Sequence, residues 1–177
     1  MKLSKKFSLT RTTHPLYPNL HQIKALRSFG TVSKGDLGGY IEKEANLSHE
    51  GTCWVYGSAG VYGNARVYDN AWVSGNARVS GDARVSGNAR VGGDAAVSGN
   101  AVVYGDARVY GNATVSGDAG VSGPVEFSNP LVAALVNLGA CTEALQFIGK
   151  RSLVEAWGAC DREDWKNWLR ARGLNPS

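Results

Sequence analysis

At 177 residues and 18.7 kDa, the chain has room for one domain, or one domain with a small appendage. Hydrophobic content is 43%, in the range of soluble globular proteins, but glycine is in excess at 23 residues, against 5 prolines, which argues against collagen and against a Pro/Gly-rich disordered chain. The net charge of +4, the lack of an apolar run of membrane-spanning length and the lack of a signal-type apolar stretch in MKLSKKFSLTRTTHP give the expectation of a soluble, cytoplasmic protein.

The N-terminal segment, residues 1–36, is the basic part of the chain. It holds seven Lys/Arg against Asp36 alone, whereas residues 37–128 net −3 and residues 129–177 net +1. Such a segment suits either an anionic surface or a solvated, Lys-bearing sheet edge. No arginine cluster or aromatic interleaving supports nucleic acid, so the edge is the better reading. KKFSLT, LHQIKALRSF and the run from Gly35 to Trp54 read as strands, and 1–36 is expected to form a β-rich cap.

From Val55 onward the glycine excess finds its explanation. Valine recurs at every sixth position from Val55 to Val121, and alanine follows four residues later from Ala59 to Ala119. Glycine holds the third position of each hexad except at Asp69. The unit is Val-[Tyr/Ser/Gly]-Gly-[Asn/Asp]-Ala-x. A period of six is no α-helix but fits a short strand and a corner. In Ala65-Arg66-Val67-Tyr68, alternation turns Ala and Val inwards and Arg and Tyr outwards. Gly-Asn and Gly-Asp tolerate positive φ and make the corners. Three strands and three corners close an 18-residue triangular coil around a thin column of Val and Ala.

Extended backwards, the frame takes in residues 37–54 loosely and places Ile41, Leu47 and Cys53 where alanine later sits. Residues 37–126 then form about five coils, a prism roughly 24 Å tall at ordinary strand spacing. The frame points His49 inwards, which predicts a distorted first coil. Corner residues Asp82, Asp94, Asp106 and Asp118 lie twelve apart and never eighteen, so no two corner carboxylates stack directly.

The repeat V-S-G-N-A-R-V-S-G-D-A-R resembles the hexapeptide-repeat superfamily of left-handed parallel β-helices, with a right-handed solenoid or a low-complexity tract as the competing readings. The order Q-I-K-A-L-R-S-F, K-G-D-L-G-G-Y-I, L-S-H-E-G-T-C-W-V-Y resembles YdcK-like proteins of enteric bacteria and their phages or prophages. That likeness implies a phage or prophage context and brings no known catalytic residues. The fold class expected is mainly β: a left-handed parallel β-helix over 37–128, a cap over 1–36 and a small α-helical module over 129–177.

In that module, Asn129-Pro130 opens a first helix and Thr142 caps a second. Ser152 to Glu155 form a capping box before a third. Asp161 is expected to cap a fourth, which Gly173 stops. Trp157, Trp165 and Trp168 read as its core. The run GACTEAL…EAWGACDREDWKNWL resembles a short helical module appended to bacterial and phage proteins. Cys141 and Cys160 are expected buried and reduced, since three scattered cysteines make neither a disulfide framework nor a zinc site.

Residues 18 apart form columns on the outside of the coils. One face carries Trp54, Trp72, Arg90 and Arg108 beside Tyr56 and Tyr110, with a cation–π contact expected between Trp72 and Arg90. A second carries Arg66 and Arg84 beside Tyr68 and Tyr104. The third is flatter, with Gly60, Arg78, Ala96 and Thr114 beside Tyr62, Ser80, Ser98 and Ser116, and suits packing against another subunit. These ten aromatic and arginine residues of the first two faces are the candidate partner-binding surface, weighed against a purely solubilising role.

Hexapeptide-repeat enzymes use a histidine base for acyl transfer or three histidines for zinc. Here residues 55–126 hold no histidine and no inserted loop; His14, His21 and His49 precede them without ligand spacing. The expectation is a non-enzymatic scaffold or protein-binding protein without cofactor or metal, engaging a host or phage protein, with neither nucleic acid nor membrane as partner. The alternatives are a structural component of a particle or self-assembling polymer, and an acyltransferase-like enzyme.

Overall fold

The computed structural model describes residues 5–123, 126–127 and 162–171. The repeat folds as a β-solenoid of stacked coils. Each hexad contributes a two-residue strand whose second residue, usually valine, is buried; Val61 through Val121 and Ala59 through Ala113 are nearly all at 0–1% exposure. Pairing is parallel with an 18-residue step, as in Trp54↔Trp72, Arg66↔Arg84 and Arg78↔Ala96. One face stacks five strands, from Trp54–Val55 to Glu126–Phe127; another stacks four, from Arg66–Val67 to Gly120–Val121. The expected columns and the inward Val/Ala core are therefore present, and a low-complexity tract is excluded.

The remaining face is longer because the cap joins it. Strands β1 (Phe7–His14), β2 (Tyr17–Ala25) and β3 (Leu37–Ile41) extend it to a seven-stranded sheet. β3 runs parallel to Gly60–Val61, β2 antiparallel to β3, and β1 antiparallel to β2. β1 thus becomes the outer edge, and its register shifts around Thr13, with exposed Arg11, blunt it as a template for further pairing.

The backward frame is correct at one corner and wrong at two. Cys53 does sit one coil above Ala71, since Trp54 pairs with Trp72. Ile41 and Leu47, however, pair with Val61 and Val67, and so take valine positions. A slip of two leaves the same side inward, so both remain buried. The slip is absorbed between Ser48 and Cys53, where six residues span what four span from Tyr68 to Ala71. This is the expected distortion, and it turns His49 out of the core: its ring stacks on Phe7 at 4.3 Å and meets Glu44 at 2.6 Å.

The corners show why glycine repeats. Their φ lies between +61° and +77° from Gly51 to Gly123, and Asp69 adopts +57° in the one hexad without glycine. The following Asn or Asp does not share the positive φ expected of it. Stacking adds a second demand: a Cβ on Gly81 would stand 2.9 Å from the Gly99 nitrogen in the next coil, whereas one on Gly117 meets nothing within 4 Å. Beside the glycines, side chains bond down the corner. The Asn64 amide donates to Asp82, Asn76 to Asp94, Asn88 to Asp106 and Asn100 to Asp118, at 2.8–3.1 Å. Alternating Asn and Asp thus gives each carboxylate a donor where a second carboxylate would repel it.

Of the C-terminal module, the described part is helix α1 (Glu163–Arg170), with Trp168 and Leu169 half-buried against the core. Its N-cap is Arg162, whose own side chain makes no cap bond; Glu163 and Asp164 supply negative charge to the first turn. The three helices expected over 130–160, Cys141, Cys160, Trp157, Asp161 and Gly173 lie outside the described residues.

Two stability predictions follow from the corners. Gly81→Ala combines the left-handed φ penalty with a backbone clash, while Gly117→Ala carries only the former, about 1–2 kcal/mol; thermal melts should show the larger loss for Gly81→Ala, and equal losses would refute stacking as the constraint. Asn76→Asp places a second carboxylate over Asp94, and the two repel when both are ionised. The resulting loss, roughly 0.5–1 kcal/mol, should be present at pH 7 in low salt and vanish as the pH falls below about 4. A melting temperature unchanged at pH 7 would count against the ladder.

Candidate partner-binding surface

The ten candidate residues fall on two faces of the solenoid and do not form one site. On the five-stranded face, the register sets Trp72, Arg90 and Arg108 in line. The Arg90 guanidinium lies 5.0 Å from the Trp72 ring, as expected. Tyr56 meets the same ring edge-on at 5.6 Å. Tyr110 reaches back over Gly92, where an added Cβ would come within 2.8 Å of its ring. Glycine at 92 therefore lets the tyrosine lie flat along the strands.

Trp54 does not belong to this surface. It is fully buried, with Phe7 and Phe29 of the cap packed edge-on against it at 6.2 and 5.3 Å. The sequence puts it in the right column but does not reveal that the cap folds over the top of that column. Tyr56 is also engaged from above, its hydroxyl 3.3 Å from that of Thr31. The accessible part of the face is Trp72, Arg90, Arg108 and Tyr110.

On the four-stranded face, Arg66 and Arg84 are exposed on adjacent strands, and among the described residues neither forms an ion pair. Like charges one strand apart repel, so this pair is held by the fold and not by its own attraction. Tyr68 is half-buried and Tyr104 is 46% exposed, with Ser86 nearly buried at the level between them. A shallow cleft of about 670 Å³ runs from Arg66, Arg84 and Tyr68 to His49 and Glu44. Hydrogen bonds from Lys5 and then His49 hold the Glu44 carboxyl below its ordinary range. Lys43 borders the same two arginines on the other side.

The flat face is partly claimed by the chain itself. Tyr17 at the β1–β2 turn stacks near Tyr62 at 6.2 Å and its hydroxyl accepts from Arg78 at 2.7 Å. Between turn and face lies a cleft of about 460 Å³ lined by His14, Leu16, Arg78 and Asp94. Packing of a second subunit on that face is thus limited to its lower part, around Ala96 and Ser98. Sequence reasoning missed this cleft because nothing in the pattern tells how far the hairpin folds back.

It also missed Lys6. The basic N-terminus was expected to be a solvated edge, yet Lys6 is fully buried, its ammonium donating to the Glu50 and Cys53 carbonyls at 3.1 and 3.0 Å and to Cys53 Sγ at 3.1 Å. Burial lowers the Lys6 pKa and raises that of Cys53. No group of three or more His, Cys, Asp or Glu residues that could hold a metal occurs among the described residues, and no helix among them is long and apolar enough to cross a membrane.

A family profile described as the YdcK beta solenoid repeat matches residues 59–75, 71–87, 77–93, 83–99 and 107–123. No curated protein matches the chain. The matched residues are the coils that carry the two arginine–aromatic faces.

Because Arg90 is solvent-exposed, its contact with Trp72 is worth roughly 0.5–1 kcal/mol. Arg90→Ala should therefore melt within a few degrees of the parent. A much larger drop would mean that the arginine holds the fold together and is not a surface group.

Proposed function

We propose that this YdcK-like β-solenoid protein is a non-catalytic scaffold that presents arginine and aromatic side chains to an acidic face of a protein partner. The observation that carries the reading is Arg66 and Arg84, set side by side on adjacent strands and, among the described residues, in no ion pair, with Glu44 and Asp82 only lining the clefts beside them. Arginines held rigidly beside tyrosine and tryptophan match the composition of protein-interface hot spots. A solenoid supplies the rigidity, since each side chain rides on a strand fixed by its neighbours above and below. The YdcK likeness favours a phage- or prophage-encoded protein acting in the host cytoplasm on a host or phage protein. Residues 55–126 hold no histidine to act as a base, which supports a binding role over acyl transfer; no cofactor or metal is invoked.

The full chain on an affinity matrix, challenged with host lysate, tests this. A partner should be retained at low salt, released as salt rises, and lost from an Arg66→Ser/Arg84→Ser variant of unchanged melting temperature. Identical partner lists for parent and variant would overturn the reading. A second reading, a self-assembling structural component, draws on the small residues Ala96 and Ser98 on the lower part of the flat face. It requires association in sedimentation, and a monodisperse monomer at high concentration excludes it.

A further inference from the structure

The coils carry little chemistry, but the junction between cap and first coil holds a buried amine against a buried thiol. Lys6 and Cys53 are each 0% exposed and their Nζ and Sγ atoms stand 3.1 Å apart. Three acceptors surround the amine: the Glu50 carbonyl, the Cys53 carbonyl and the Cys53 sulfur. The Phe29 ring covers it at 4.9 Å, and Arg27 lies over the same ring at 5.9 Å. Among the described residues no carboxylate is a partner of the amine.

A lone ammonium in such a place is expensive, and so is a lone thiolate. Together they need only one shared proton: amine with thiol, or ammonium with thiolate, are both neutral overall. The pair therefore titrates as a unit, and the sulfur can become a thiolate by passing its proton to the amine 3.1 Å away, without solvent. That distinguishes Cys53 from an ordinary buried cysteine, which stays an inert thiol. In the distorted stretch Ser48–Thr52, Glu50, whose carbonyl accepts from the amine, and Gly51 are exposed.

We propose that Lys6 and Cys53 form an oxidative modification site, a lysine–cysteine sulfenamide closed by a peroxide-class oxidant. In the first step the Cys53 sulfur attacks one peroxide oxygen. The O–O bond breaks, the sulfur is oxidised to sulfenic acid, and the hydroxide released takes back from Lys6 the proton the thiol gave it, leaving water and a free amine. In the second, the Lys6 lone pair attacks the sulfenic sulfur and the S–O bond breaks. The departing hydroxide takes a proton from the nitrogen and leaves as water. The net change is one amine, one thiol and one hydrogen peroxide converted to an Sγ–Nζ bond and two waters. The bond joins the residue preceding β1 to the residue preceding Trp54, and so fastens the cap to the first stacked strand. Two equivalents of an added thiol reverse it, giving back amine and thiol and leaving the added thiol as its disulfide.

The full-length chain carrying Cys141→Ser and Cys160→Ser, which leaves Cys53 as its one thiol, is treated with dilute hydrogen peroxide and mapped by tandem mass spectrometry. A crosslinked peptide pair joining Lys6 to Cys53, two hydrogens lighter than the free pair and released by dithiothreitol, is the expected result. The same pair carrying one oxygen also supports the site, because a second peroxide oxidises a sulfenamide to a sulfinamide. Amine acetylation after denaturation gives an independent reading: Lys6 should become resistant to it in step with crosslinking. Lys6→Arg, whose guanidinium is a poor nucleophile, should lose the link and let Cys53 proceed to sulfinic acid. Recovery of parent Cys53 as free thiol or sulfinic acid, with Lys6 fully acetylated, would overturn the proposal whether or not the arginine variant folds.

Discussion

The close approach of backbone to backbone at the glycine corners is the constraint on which the solenoid depends. Successive coils bring glycine over glycine, and over most of the stack an added methyl group would lie only 2.8–3.2 Å from the next coil's nitrogen and oxygen. The same geometry lets each corner close into the ladder of backbone bonds, such as Asn64 N–H to the Gly81 carbonyl and Asn76 N–H to the Gly93 carbonyl, both 2.8 Å. Everything else inherits this spacing. The Val/Ala column fits because the coils are held at strand distance, and the Asn–Asp ladders form because corner side chains superpose at that distance. The exception supports the rule: Asp69 takes up a left-handed φ, and its carboxylate accepts the Gly87 N–H one coil below.

The period of six was enough to place every strand from Trp54 to Val121 and every exterior column, because one in/out choice and one corner residue repeat without interruption. Legibility ended where the repeat did. Ile41 and Leu47 were assigned to alanine positions, since a pattern of apolar residues two apart is satisfied equally by either register; only the extra length between Ser48 and Cys53 decides. Trp54 was read as exposed for a related reason. Its column is set by the coil, but its burial is set by Phe7 and Phe29, which belong to a cap with no repeat to read. Lys6 is the extreme case: charge and position both favour solvent, and only the tertiary fold places three acceptors around it.

Charge is arranged differently in the two directions of the solenoid. Down the corners, acids are separated by amides, so no carboxylate pays for its neighbour. Across the four-stranded face, two arginines are set on adjacent strands and, among the described residues, neither is ion-paired. The coils thus avoid like-charge stacking at the corners and tolerate it on the arginine face. That asymmetry argues for the arginine face as a binding surface more strongly than the arginine count does. The five-stranded face also sets two arginines, Arg90 and Arg108, on adjacent strands, but Arg90 there already has the Trp72 ring as a partner.

Regularity and reactivity also divide the molecule. In the coils, the alanine and valine of each hexad fill the core and glycine fills the corner, so the positions left to vary face outwards on short strands. Such positions suit recognition, which tolerates solvent, better than general acid–base chemistry, which relies on a shielded and tuned group. Among the described residues, two ionisable side chains are shut away from water together at the junction where an irregular cap meets an irregular first coil. There the two additional residues between Ser48 and Cys53 create carbonyls that do not all enter the parallel ladder, and the Glu50 and Cys53 carbonyls turn to Lys6 instead. The imperfection needed to start the solenoid is thus also what makes room for a buried amine beside a thiol.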